Sequence, residues 1–285
     1  MKKLVFISLL AAAACGLTAI LTCQATNLLF GERLKGSNRI VTRTVEAPDY
    51  DAISASRAIR VVVTDRTDKI RIEANDNLID RIIVETKGHT LHITIDPKIT
   101  KISNARVTVT VPARDGRIRA LEASSAAEIT CEVPLQAELA RIEASSAAKI
   151  RTSCRAGRCK VSASSAAGID AEITAASCSF EASSAAGIDA KVEATECSAG
   201  ASSAAKIELE GSAGEFSARA SSAGKVEAED LVCEQGDAEA SSGAGIHIHC
   251  SKQLNARASS GGALRYTGDC AVDAKESSGG SVRRK

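Results

Sequence analysis

Through the second half of this sequence, apolar and polar residues alternate. Val161 and Ala163 flank Ser162, Phe180 and Ala182 flank Glu181, and Ala218 and Ala220 flank Arg219. A period of two belongs to a strand with one buried face, and helical spacing does not occur. The alternation recurs as a block. Ser-Ser pairs start at Ser124, Ser145, Ser164, Ser183, Ser202, Ser221, Ser241, Ser259 and Ser277, 18 to 21 residues apart. Five residues beyond the first Ser of each pair stands an aliphatic side chain, running from Ile129, Ile150, Ile169, Ile188 and Ile207 to Val226, Ile246, Leu264 and Val282. A short unit that cannot bury its own apolar face, repeated nine times, predicts a solenoid in which each unit packs on the next. The predicted fold class is all-β: a parallel β-helix-like solenoid with coils of about 19 residues stacked about 4.8 Å apart, preceded by an irregular β-rich N-terminal part.

Register then assigns the side chains. The aliphatic column points inward, and so does a column five residues before each pair that contains Cys159, Cys178, Cys197 and Phe216. The residue two after the first Ser is Ala or Gly throughout, from Ala126 to Gly279, and is expected at a tight inward corner. The Ser pairs read as turn devices whose hydroxyls satisfy backbone groups. No His or Lys recurs beside them to activate a nucleophile.

Residues 40 to 112 carry strand-like runs without the repeat, among them Ile59 to Val63, Ile70 to Glu73, Thr90 to Ile95 and Val107 to Val111. Ser54 and Ile59 repeat the five-residue Ser-to-aliphatic spacing, so coils are expected to begin here. Residues 44–112 are expected to cap the first open edge, with the repetitive solenoid at 113–285. Ahead of them, Lys2 and Lys3 followed by the apolar run Leu4 to Ala14 read as a signal peptide ending at Ala25, with 26–43 as a linker. Two alternatives are a lipidated Cys15 and a retained anchor over Leu4 to Thr22. The expected location is exported: periplasm, outer-membrane surface or extracellular.

Composition narrows the function. Trp is absent and aromatics make up 2% of the chain, so the core is built from small and aliphatic residues and the usual stacking platforms for sugars are missing. A net charge of +1 provides no basic field for nucleic acid. Eight cysteines follow the leader, and their place in a buried column predicts free thiols, although neighbouring coils bring some within bridging range. His247, His249 and Cys250 lie close together with Glu227 and Glu229 one coil away, but are expected as surface residues rather than a metal centre. No acid and base pair departs from the repeat pattern to suggest catalysis, and no cofactor is expected. Asp170, Asp189, Glu208 and Glu227 should form an outward column. Lys206 and Lys225 can relieve its far end, while Gly168 and Gly187 leave Asp170 and Asp189 least compensated and the candidates for a hydrated Ca²⁺.

Tyr50 to Ser54, Val61 to Asp65, Ile72 to Ile79, Leu91 to Ile93 and Val107 to Pro112, with the Ser-rich repeats, resemble the putative auto-transporter adhesin, head GIN domain family over residues 45 to 285. Gly168-Ile169-Asp170 and Gly187-Ile188-Asp189 are similar to its Gly-Ile-Asn motif with Asp for Asn, and Ala58-Ile59-Arg60 departs further. The resemblance implies a β-helix-like solenoid in an exported, often envelope-bound bacterial protein. The expected function is a non-catalytic surface module that binds an envelope or extracellular protein or polysaccharide, as a monomer or small oligomer, with a passive structural rod as the alternative.

Overall fold

Alternating chains form strands, and strands of equal length and pattern stack. The computed structural model describes residues 31–285, so the expected signal peptide and the first part of the linker lie outside the described residues. The strands are β1 (Glu32–Lys35), β2 (Ile40–Glu46), β3 (Ala52–Ala55), β4 (Arg60–Thr64), β5 (Lys69–Asn75), β6 (Ile82–Lys87), β7 (Thr90–Ile95), β8 (Ile99–Ser103), β9 (Val107–Pro112), β10 (Ala120–Ala123) and β11 (Glu128–Cys131). They continue as β12 (Leu135–Ala144), β13 (Lys149–Ala163), β14 (Gly168–Ala182), β15 (Gly187–Ala201), β16 (Lys206–Ala220), β17 (Lys225–Ala240), β18 (Gly245–Ala258), β19 (Ala263–Thr267), β20 (Ala271–Glu276) and β21 (Ser281–Arg284). From β10 onward every pairing is parallel and joins one coil to the next, a β-solenoid as expected.

Coil β14 shows the unit. Ile169, Ala171, Ile173 and Ala175 are buried, then the phase slips: Ala176 and Ser177 are successive non-core positions, and burial resumes at Cys178, Phe180 and Ala182. The ladder skips residue 176, with Ala175 and Ser177 both paired, so the chain corners there. The Ile169–Ile188–Ile207–Val226 and Cys159–Cys178–Cys197–Phe216 columns stand in the expected register. Volume is balanced along each column. Phe180 stacks on Ala199 and then Ala218, and Phe216 is followed by Gly236, where a Cβ would meet Leu254 at 2.9 Å.

The Ser-Ser corners differ from the sequence expectation in two ways. The residue two after the first Ser points outward; its small size serves backbone conformation. Ser125 and Ala126 have φ of 51° and 61°, and the same pair of positive angles recurs at Ser184 and Ala185 and around the stack. Two consecutive left-handed residues make a tight primed turn, and each non-glycine residue there costs roughly 1–2 kcal/mol. The buried residue is the next one, Ala127 or Ala186. The turn is also held by backbone groups rather than by hydroxyls. Ala127 N–H closes onto the Ser124 carbonyl at 3.0 Å, Ala126 N–H reaches the Ser146 carbonyl of the next coil at 2.9 Å, and Ser145 N–H reaches back to Ala123 at 2.9 Å. Each turn is thus bonded to its neighbours, which offsets the backbone strain.

The N-terminal part is stacked out of chain order. Coil β3–β4 lies between β10–β11 on one side and β7 with β9 on the other, although β7 and β9 fall between them in sequence. Antiparallel strands finish this end: β6 runs along β7, while β5 runs along β9 and β2 along β5. The first coil turns at Ser56, not Ser54. Arg57 and Ala58 carry the positive φ angles, Ala58 N–H bonds to Ser125 O at 2.9 Å, and Val61 rather than Ile59 aligns with Ile129. Residues 32–35 and 40–46, expected mostly as linker, are strands, because β1 pairs with β8 and β2 with β5.

The eight cysteines of the described residues are free, and all but Cys270 are buried. Burial pushes the Cys131 thiol up to about 11. The hydrogen bond that Cys159 donates to Cys154, followed by burial, raises Cys159, and a hydrogen bond with Cys178 together with burial raises Cys197. These thiols act as small apolar core residues.

Candidate functional site

Any site on this rod is built from outward columns, one residue per coil. The acidic column is present as expected: Asp170, Asp189, Glu208 and Glu227 are successive register partners. It continues upstream to Arg151 and downstream to His247, and both ends are closed by these groups. Arg151 Nε lies 2.9 Å from Asp170 Oδ2, and His247 Nδ1 lies 2.6 Å from Glu227 Oε2. Lys206 bonds Glu208 within its own strand. Asp170 is therefore compensated, contrary to the expectation that it and Asp189 share the deficit.

Among the described residues, Asp189 is the one carboxylate of this column with no cation or imidazole within bonding distance. Partial burial, then Glu208, Asp170 and Glu210, raise its carboxyl above the usual range, with Lys206 opposing. The candidate Ca²⁺ pair of Asp170 and Asp189 is thus an arginine-bound carboxylate beside a strained one. Among the described residues, no group of three or more His, Cys, Asp or Glu side chains is arranged to hold a metal ion. His247 and His249 do share the outer face, while Ile248 and Cys250 are buried on the other. Glu229 bonds Lys285 at 2.7 Å, and this contact holds its carboxyl below the usual range.

Beside the acidic column runs Lys149, Gly168, Gly187 and Lys206. The two glycines do not need their backbone freedom, because a Cβ at either would meet nothing within 4 Å. What they provide is a shallow trough of about 290 Å³ between Lys149 and Lys206, with Arg151, Asp170, Asp189 and Glu208 along one side. It combines cations at both ends with carboxylates between them on a rigid sheet. The opposite face carries a hydroxyl ladder, Ser179, Ser198 and Ser217, continued by Asp237 and Asn255. The sequence reading missed Arg151 as the partner of Asp170, although the same six-residue offset counted from Ser145 lands on it.

A single-chain parallel β-solenoid, capped at one end by an out-of-order coil and presenting polar ladders on its faces, is the class this architecture defines. The chain belongs to the family described as putative auto-transporter adhesin, head GIN domain, whose model matches residues 49–191 and 164–270. Three crystal structures share the fold. A putative adhesin from Parabacteroides merdae ATCC 43184 superposes with a TM-score of 0.69 at 19% identity, over 89% of this chain and 99% of that one. A putative lipid binding protein from Parabacteroides distasonis ATCC 8503 gives 0.67 at 16% identity, over 89% and 100%. A putative adhesin from the same strain gives 0.66 at 19% identity, over 89% and 100%. A search of curated proteins found no significant match.

Proposed function

We propose that the protein is an exported, non-catalytic module of the bacterial envelope that binds a protein or polysaccharide along its flat polar faces. The observation that carries this reading is the regularity of the outer columns. Charged and hydroxyl groups recur coil after coil on rigid strands, and the depression between Lys149 and Lys206 is an open trough rather than a cleft with a paired acid and base. A surface of this kind suits an extended, repetitive partner, since many weak polar contacts add up along a face that is already ordered before binding. Membership of an adhesin family supports the same reading.

The test is a panel of immobilised glycans and envelope proteins probed with the purified protein. Saturable binding that falls at least tenfold in an Arg151→Ala, Lys206→Ala double variant supports a ligand on the trough face. A protein that binds nothing on the panel and only forms concentration-dependent filaments supports the passive-rod alternative.

A further inference from the structure

Charge is unevenly distributed along the edge where the coils corner. Strand β13 carries Lys149, Arg151, Arg155, Arg158 and Lys160 and no carboxylate. Among the described residues, its only ion pair is that of Arg151 with Asp170. Arg155 stacks between Gln136 and Thr174, and Arg158 between Leu139 and Ser177, so neither has an acidic neighbour in its column. Two to four coils further on, the same edge is acidic. Glu193 and Glu196 flank the corner in β15, Glu215 follows it in β16 and Asp230 precedes it in β17, all of them exposed. None of these four makes an ion pair among the described residues, the neighbouring pairs being Lys206 with Glu208 and Lys252 with Glu234.

Each patch also exposes an aliphatic side chain, which a solvated stripe of charge does not need. Leu139, in the column of Arg158, is 55% accessible, and Val232, two residues from the corner of β17, is 44% accessible. Two patches of opposite charge, each with an exposed aliphatic side chain at its margin, lie on one edge of a chain whose net charge is only +1.

We infer that two copies of this chain pair side by side along the corner edge, antiparallel, about a twofold axis close to β14, which sets Arg155 and Arg158 of β13 against Glu193 and Glu196 of β15. The basic coil and the acidic coils are separated by roughly 10–19 Å along the rod, given about 4.8 Å per coil. Reversing one copy sets Arg155 and Arg158 of each protomer against the acidic edge of the other. The contact is isologous and uses both patches twice. Parallel packing in register would instead oppose like charges. Leu139 in β12 and Val232 in β17 lie at the flanks of this contact. This pairing goes beyond the proposed ligand binding and leaves the trough of Gly168 and Gly187 free, so the two readings stand or fall separately.

Sedimentation velocity of the purified protein tests the pairing. The expected result is a dimer at low salt that dissociates in about 1 M salt, where charges are screened beyond about 3 Å. Arg155→Glu with Arg158→Glu should give a monomer, as should Glu193→Arg with Glu196→Arg, and mixing the two variants should restore a dimer. All four positions are exposed, so circular dichroism should match the parent. A parent that stays monomeric at low salt overturns the inference, as does a dimer indifferent to either reversal or a mixture that remains monomeric. A monomer that binds dextran sulfate through the same two arginines also overturns it, and assigns the basic coil to an anionic polymer.

Discussion

The solenoid from β10 to β21 and the cap before it use the same strands and corners but assemble them differently. In the solenoid the strand ladder joins each coil only to the one before and the one after, and the chain visits them in order. In the cap, coil β3–β4 is held between a coil that follows it directly in space and one built from β7 and β9, with antiparallel strands closing the end. The difference teaches what a cap must do. A parallel stack ends in unpaired backbone groups that recruit other chains, and antiparallel strands with their own hairpin geometry stop that growth. Nearest-neighbour coils should be energetically additive, whereas the interlocked cap should behave as one unit.

The largest expected effect falls on the inward column. Ile188→Asp buries an unpaired carboxylate among Ile169, Ile207 and Ala190 and should cost about 4 kcal/mol or more, while Asp189→Ala on the outer face should change stability by less than about 0.5 kcal/mol. Thermal unfolding of the two variants decides it, and equal shifts would overturn the register.

Next in size are the corners, which test whether the cap and the solenoid share a turn. Ala185→Gly and Ala58→Gly should each stabilise by about 1 kcal/mol, because both alanines hold positive φ, 61° and 56°. Ala185→Val should destabilise by about 1–3 kcal/mol, since a β-branched residue fits the left-handed region worst. Chemical denaturation measures all three. A stabilisation at Ala185 without one at Ala58 would show that the first corner is not equivalent to the rest.

The smallest effect concerns Asp189. Its carboxyl binds a proton more tightly in the fold than in the unfolded chain, so its ionisation opposes folding. The fold is favoured while the group is protonated, and that advantage is lost as the pH rises through the carboxylate range. Asp189→Asn should therefore be more stable than the parent at neutral pH by at most about 0.5 kcal/mol, with the gain vanishing below the ordinary aspartate pKa of about 3.9. Asp170→Asn should show the opposite sign, because it removes the Arg151 pair.

Much of the solenoid was legible because a two-residue alternation repeated every 19 or so residues leaves one register that turns all nine aliphatic positions inward, eight of them buried and Val282 half-buried at the end of the stack. The thiol and carboxylate columns follow from that register. The corners were misread because sequence shows that Ala126 is small but not whether size serves packing or a positive φ; the buried Ala127 beside it is equally small. The cap order was hidden for a different reason. Nothing in Thr90 to Ile95 states which side of β3 it will pair with, since both edges of a strand offer the same backbone groups. Ser54 misled because Ser56, two residues on, lacks a second Ser and is followed by Arg57. In the candidate site, the acidic column came from the repeat, whereas the closing Arg151 and His247 lie where the repeat changes chemistry.

Hydrogen exchange resolved by peptide tests the contrast between an additive stack and an interlocked cap most directly. The account predicts that amides of β3, β4, β7 and β9 open together with one free energy, while protection falls stepwise from β17 through β18 to β20 and β21. Stepwise loss within β3 to β9, or a single opening shared by all coils from β10 to β21, would contradict it.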